Sequence, residues 1–354
     1  MSAEATPGTR ARVSSGAAEA WTAASRFAVV ALMLLVIFVV FSVTQADFLT
    51  SSNIQNLLSS VSILFVISIG MTFVVLTGGI DLSVGSLLAL SGLVLSKLFN
   101  GVGLPIVLAV LVTIAAGALI GGFVNGVLIG RVGLSFFVVT LGTLSLYRGI
   151  VNIWSGTKTT YINSSLMNDI GFRHVLGLPV PIWIMIVVYL VAFVVLRWTY
   201  FGRDVYAVGG NIEAARLSGI NVPRTLMLVY AIAGLAAAIG GIVQAARLGA
   251  SSPLVGDSTP LDAAAAVLLG GTSFLGGVGG VTGTAAAVLF IGTLQNGLSI
   301  AGVSSFWQQV VTGAILIVAI SIDRIQRDPG RFRRVVAGGG HGPTSTSEPD
   351  GEET

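Results

Sequence analysis

The sequence predicts an all-α polytopic membrane protein of about ten transmembrane helices with both termini in the cytoplasm. Three observations carry that expectation. Of 354 residues, 54% are hydrophobic and 9% charged, whereas a soluble domain carries roughly 25% charged residues. The apolar residues gather into runs close to the ~20 residues that a helix needs to cross a bilayer. Lys and Arg, finally, fall mostly on alternate connections between those runs, as the positive-inside rule requires.

The runs, in order, are 27–44, 57–77, 82–99, 104–130, 135–153, 181–200, 225–247, 260–275, 281–300 and 306–322. The first follows a polar lead of 26 residues and is not succeeded by a small-residue cleavage pattern, so it reads as a span and not as a signal peptide. The second and third are separated only by a short glycine-containing turn. The fourth places Gly117 and Gly121, and then Gly122, Gly126 and Gly130, at four-residue spacing, which lets helix backbones approach closely. The eighth, around AAAAVLLGG, is short and interrupted by glycine. Backbone groups left unpaired in lipid are costly, so these runs are helices and not open strands. With the N-terminus inside and ten crossings, Lys97, Arg148, Lys158, Arg173 and Arg247 are the five outward-facing cations among 18. Residues 1–26 and 326–354 then form cytoplasmic tails around one membrane domain, 27–325. The first 20 residues and the segment from Ala337 are poor in bulky apolar groups and read as disordered.

Several functions are disfavoured by what the chain carries. There is no cysteine, hence no thiolate chemistry or cysteine-based metal site. His174 and His341 are far apart and belong to no ligand-spaced cluster, so no metal site is expected. A net charge of +3 does not suggest nucleic-acid binding; the basic residues orient the chain, and Arg324 to Arg334 suit anionic lipid head groups. No nucleophile elbow, zinc-protease motif or carboxylate pair appears, so no catalytic residue is assigned. Lys158 lies in WSGTKTT, where a P-loop would require glycine in place of Thr157 and Asn152. The chain therefore reads as a non-enzyme that binds no cofactor of its own.

Ion-coupled transport usually leaves acids or bases inside spans. Here only Asp81 and Asp262 lie against apolar runs, and Arg148 and Arg247 near span ends read as snorkelling cations. The deeper polar groups are neutral: Asn125, Thr140, Thr143, Ser145, Gln244, Gln295 and Asn296. Such groups commonly bond helix to helix, and together they suit a neutral polyhydroxylated solute better than an ion. A secondary transporter, a membrane enzyme and a scaffold remain rival classes.

Two stretches stand out. In TGGIDLSVG, Gly78 and Gly79 can take positive φ and end the second span. Asp81 or Ser83 can then cap the third, at the positive end of its dipole. Helix breaks also gather at gates in transporters, so Asp81, Ser83, Asn125, Thr140, Thr143, Gln295 and Asn296 are candidate path-lining or gating residues. The second stretch, YFGRDVYAVGGNIEAARLSGINVPRT, joins spans six and seven on the cytoplasmic side. Asn211 can cap a helix there, Glu213 sits in its first turn, Arg216 lies later and Gly219 can end it. About two turns long, such a helix is marginal alone, and Asn211, Glu213, Ala214, Ala215, Arg216, Ser218 and Gly219 suit a protein-docking element.

Four segments in this order, TGGIDLSVGSLLALSG, LSFFVVTLGTLSLYRGI, GRDVYAVGGNIEAARLSGINV and LDAAAAVLLGGTSFLGGVGGVTGT, resemble the permease subunits of bacterial ribose/xylose-type ATP-binding-cassette sugar importers. The likeness covers about residues 30–325. It implies a multi-pass permease of the bacterial inner membrane that homodimerises around a path for a neutral monosaccharide. A separate ATPase subunit would supply energy from ATP, and an extracytoplasmic solute-binding protein would deliver the sugar. The segment at about Gly210–Gly219 maps onto the family's coupling helix. The chain departs from the family in having no Lys or Arg between Gly276 and Gly283, so that loop is assigned no charged contact. Permeases for nucleosides or branched-chain amino acids share much of the architecture and remain the alternative.

Overall fold

The computed structural model describes residues 28–327. The tails, and the disorder and cytoplasmic placement read into them, lie outside those residues apart from the last turn of the final helix. The helices are α1 (Ala28–Thr44), α2 (Ser51–Leu76), α3 (Val84–Ser96), α4 (Ile106–Ile120), α5 (Gly126–Gly130), α6 (Phe136–Ser155), α7 (Ser165–Phe172), α8 (Val180–Trp198), α9 (Tyr200–Gly210), α10 (Ile212–Leu217), α11 (Val222–Leu248), α12 (Thr259–Leu269), α13 (Val281–Ile300) and α14 (Ser305–Arg327). π-helical turns extend α3 through Lys97–Gly101 and join α4 to α5 through Gly121–Asn125. Two two-residue antiparallel pairs complete the fold: β1 (Thr160–Tyr161) with β4 (Ala250–Ser251), and β2 (His174–Val175) with β3 (Leu178–Pro179).

The chain is an all-α polytopic membrane protein. Among the described residues, seven helical stretches are long and apolar enough to cross a membrane. The apolar stretches Ala28–Thr44, Thr259–Leu269 and Ser305–Ser321 are shorter. Of these, α12 departs most from expectation. Its 11 residues span ~16 Å, about half of a ~30 Å hydrocarbon core. Gly271, at φ 86°, turns the chain out of the helix as Thr272 N–H reaches back to Val267 O. That turn is the glycine stop of a Schellman motif, and residues 270–280 follow as loop. The expected span 260–275 is thus a half-helix plus loop.

Other boundaries also move. The second helix begins at Ser51, six residues before the expected apolar run, because Thr50 accepts the Asn53 N–H and caps it. The sequence gives no clear signal for α9 (Tyr200–Gly210). Its glycines and weak apolar run hid it, yet Thr199 caps it through the Gly202 N–H. The final helix continues to Arg327, slightly past the expected domain limit of 325.

At the centre stands α11, which packs along α2, α3, α4 and α5. Small residues allow it. Gly117 and Gly121 face Gly234 across the α4–α11 contact so closely that a methyl group on any of the three would meet the opposing backbone. Gly126 and Gly130 continue the contact along α5, against Met227 and Pro223. The four-residue glycine ladder is therefore a packing face. The side of α4 turned away from α11 is apolar and exposed, at Leu108, Leu111, Val112 and Leu119, as suits a helix bordered by lipid.

Candidate functional site

The turn between α2 and α3 is built in two steps. Gly78, at φ 79°, ends α2, its N–H bonding to Val75 O at 2.9 Å while that of Gly79 bonds to Val74 O at 3.1 Å. These two bonds are the Schellman pair that satisfies carbonyls at a helix end. Asp81 then takes the chain into α3. Its Oδ1 accepts from the Ser83 N–H at 2.9 Å and from the Ser83 hydroxyl at 2.6 Å. The expected cap is thereby corrected. Ser83 occupies the N-cap position but its side chain makes no cap bond, and Asp81 secures the N–H of that residue in place of the first free donors of α3. Such an Asx turn is a common use of aspartate just outside a helix.

Asn125 closes the arrangement from the opposite side. Its Nδ2 lies 2.9 Å from Ser83 Oγ and 3.3 Å from Asp81 Oδ2. It is the last residue of the π turn Gly121–Asn125. A π turn inserts one residue into the helix and is frequent at functional positions; here it lies in the stretch that delivers an amide to a carboxylate. The Thr140 hydroxyl reaches Ile80 O at 3.4 Å. Asp81, Ser83, Asn125 and Thr140 are each 0% exposed. Asn125 Oδ1 and the Tyr147 hydroxyl are buried without a hydrogen-bond partner among the described residues. The arrangement is a closed polar knot that fixes the α2–α3 break.

The remaining sequence candidates lie elsewhere. Thr143 bonds its own helix at Val139 O and Thr140 O, one turn beyond Thr140. Asn296 forms a reciprocal amide pair with Asn53, at 2.9 and 3.1 Å, roughly 35 Å from the knot along α2. Gln295, its neighbour on α13, is half-buried. Sequence position alone did not separate these from the knot.

Arg148 was underestimated by the sequence. Instead of snorkelling, its Nη1 donates to Pro253 O at 2.6 Å and Val255 O at 3.1 Å, and its Nη2 pairs with Asp257 Oδ1 at 2.6 Å. It thus pins the irregular, turn-rich segment 252–258, whose Gly256 lies against Gly85 at the start of α3. Two irregular segments, 77–83 and 252–258, consequently meet around the first turn of α3.

The second site is α10. Asn211 Oδ1 accepts from the N–H groups of Glu213 and Ala214, both at 3.0 Å. Gly219, at φ 85°, ends the helix, with the Ile220 N–H bonded to Ala215 O. Glu213 and Arg216 pair at 3.5 Å, but both are exposed, so the pair contributes little. Only Ala215 is buried, against Val208, Val222 and Leu226. Leu217 is 87% exposed, a large apolar residue standing free at the end of a short, doubly capped helix.

The two sites are joined by main chain. The Gly277 N–H donates to Leu76 O at 2.9 Å. Gly209, two residues before the α10 cap, packs on the same carbonyl so closely that no side chain fits there. The end of α2, the end of α9 and the loop after α12 therefore form one joint, five residues from Asp81.

This fold, with a buried helix break between α2 and α3 and a short exposed helix at α10, is that of a polytopic membrane protein. Residues 53–320 match the family described as the branched-chain amino acid transport system permease component. The chain belongs to that family. It is 40% identical to the ribose import permease protein RbsC of Haemophilus influenzae over 296 residues, covering 82% of this chain and 91% of that one. It is 37% identical to the L-arabinose ABC transporter permease protein AraH of Azospirillum brasilense, with 89% and 92% covered. Likeness to the xylose transport system permease protein XylH of Escherichia coli is 34%, with 84% and 90% covered. No solved structure gives a significant match.

Proposed function

We propose that the chain is the permease subunit of an ATP-binding-cassette importer in the bacterial inner membrane, forming the translocation path for a neutral monosaccharide of ribose or xylose type. The observation that carries the mechanism is the joint at Leu76, which links the exposed α10 to the α2–α3 break. The sugar-permease relatives, matched over more than four-fifths of the chain, support the substrate class.

In this reading both termini are cytoplasmic and the chain crosses ten times. The eighth crossing is composite: the turn-rich segment 252–258, the half-helix α12 and the loop 270–280. That path brings α9, α10 and the loop to the cytoplasmic side together, in keeping with their contact. Residues 1–26 and 326–354 are tails of the domain 27–325.

A separate ATPase subunit docks on α10, with Leu217 and Ile212 as apolar contacts and Glu213 and Arg216 as rim. It uses ATP, while the permease holds no cofactor. Two permease copies enclose the path, and lipid covers the other apolar faces. An extracytoplasmic solute-binding protein delivers sugar to the face carrying α7 and the small strand pairs, and no nucleic acid takes part. Closure of the ATPases moves α10 and α9, and the joint passes that movement to the α2–α3 break and its polar knot. An effector shifts such an equilibrium only by its differential affinity for the two states. The permease therefore binds sugar weakly in both, and selectivity rests with the binding protein.

Uptake of radiolabelled ribose or xylose into proteoliposomes tests this. It is expected to require the ATPase subunit, the binding protein and ATP. Uptake by the permease alone, driven by a proton or sodium gradient, would replace this reading with secondary transport. Selective uptake of nucleosides or branched-chain amino acids would redirect the substrate.

A further inference from the structure

A cavity of about 620 Å³ opens between the end of α8, the start of α9 and the loop leading into α13. Neither the docking helix nor the polar knot uses it. Its polar wall holds Arg197, Arg203 and Tyr206, and its apolar wall holds Phe193, Leu196 and Val278. The Tyr206 hydroxyl donates to Gly279 O at 2.8 Å and fixes the loop as the far wall.

Arg197 and Arg203 stand apart from the other arginines because both line this one cavity; lack of a carboxylate partner among the described residues is shared with Arg131, Arg224 and Arg247. Arg148, Arg173 and Arg216 each have a carboxylate partner, in Asp257, Asp169 and Glu213. Among the described residues, neither Arg197 nor Arg203 has an acidic group within ion-pair distance. Arg203 instead lies over the Tyr200 ring, 4.2 Å from its centroid. Beside them, Trp198 is 71% and Tyr200 80% exposed. Exposed Trp and Tyr at the end of a membrane helix mark the depth of the head groups, so the cavity lies where phosphates of the bilayer are found. Guanidinium groups bind phosphate through paired donors. Phe193, Leu196 and Val278 offer nothing to a free anion but suit a glycerol backbone and the start of an acyl chain. Basic pockets between helices on the cytoplasmic side recur as sites for anionic lipid.

We propose that this cavity binds the head group of an anionic phospholipid from the cytoplasmic leaflet. Arg197 and Arg203 hold its phosphate, and the apolar wall holds the glycerol and first methylenes. The leaflet assignment rests on the topology proposed above; the binding itself does not. The bound lipid would bridge α8 and α9 to the loop 270–280, two of the elements that meet at Leu76.

The test uses the full chain, purified in mild detergent and supplied with phosphatidylglycerol or phosphatidylcholine, with retained lipid counted by native mass spectrometry. The wild type is expected to retain phosphatidylglycerol in preference to phosphatidylcholine. The Arg197→Gln/Arg203→Gln variant should retain it at least about tenfold less well, the loss expected when charge-assisted hydrogen bonds are removed. The Arg131→Gln variant should match the wild type. Val278→Trp fills the cavity without changing charge and should also lose the lipid, which decides the matter if the double variant does not fold. Equal retention by wild type and either cavity variant would overturn the proposal. So would displacement of the lipid by millimolar inorganic phosphate with no preference between the two lipids, since the cavity would then be a free-anion site. Failure of ATP-dependent uptake would leave these outcomes unaffected.

Discussion

Asn125 and Asp81 are 44 positions apart, and the Asn125 amide nitrogen lies 3.3 Å from the Asp81 carboxylate. One residue comes from a helix break and the other from a π turn, so each irregularity is matched to the other. The pairing can be separated from mere packing by exchange. In Asp81→Asn, the new amide oxygen keeps the Ser83 bonds, and the Asn125 amide can turn its unpartnered Oδ1 toward the new NH2. Thermal unfolding should stay within ~1 kcal/mol of wild type. Asn125→Asp places two carboxylates together and should cost several kcal/mol. The double exchange should recover most of that loss. Additive losses in the cycle would remove the pairing as a determinant.

Arg148 should be replaceable by nothing shorter or less branched. Arg148→Lys keeps the charge, but a single ammonium cannot fork across the Pro253 and Val255 carbonyls as the guanidinium does. Hydrogen exchange at residues 252–258 should rise in Arg148→Lys and more so in Arg148→Gln. Asp257→Asn should change it little, because Asp257 is 72% exposed and an exposed ion pair contributes only ~0–1 kcal/mol. Unchanged exchange in Arg148→Gln would mean that other contacts hold the segment.

Adjacent glycines give a matched test of the joint. A Cβ on Gly209 would strike Leu76 O, whereas one on Gly210 would meet nothing within 4 Å. Gly209→Ala should therefore uncouple the assembled transporter, with ATP hydrolysis persisting while sugar uptake falls at least tenfold. Gly210→Ala should leave uptake near wild type. Equal behaviour of the two variants would place the coupling path elsewhere.

Docking is expected to depend on the apolar tip of α10. Leu217→Asp should abolish co-purification of the ATPase subunit without affecting membrane insertion, because Leu217 makes little contact with its own chain. Reversing Glu213 and Arg216 together should weaken docking less, as befits rim charges. Intact co-purification of Leu217→Asp would argue against α10 as the docking element.

The sequence announced the membrane class, most of the spans and α10, because each rests on local signals: run length, Asn211 and Gly219. It was silent where structure depends on distant partners. No periodicity marks the π turn at Gly121–Asn125, and nothing near Arg148 indicates that it reaches the carbonyls of 253–255. Span eight is shorter as a helix than its composition suggests, because apolar residues continue past Gly270 while the helix ends at Leu269. Asn125, Thr140 and Asn296 looked alike as neutral polar groups inside apolar runs. Only three-dimensional placement puts two of them at the knot and the third in an amide pair with Asn53.

The joint of Leu76, Gly209 and Gly277 consists of main chain alone. Its fit depends on the absence of side chains and not on their chemistry. In a transporter that works as proposed, the drive train would then be indifferent to its cargo: residues that recognise a sugar could change freely while the parts that transmit force stay interchangeable. New substrate ranges could arise on such a frame without rebuilding the engine that powers it.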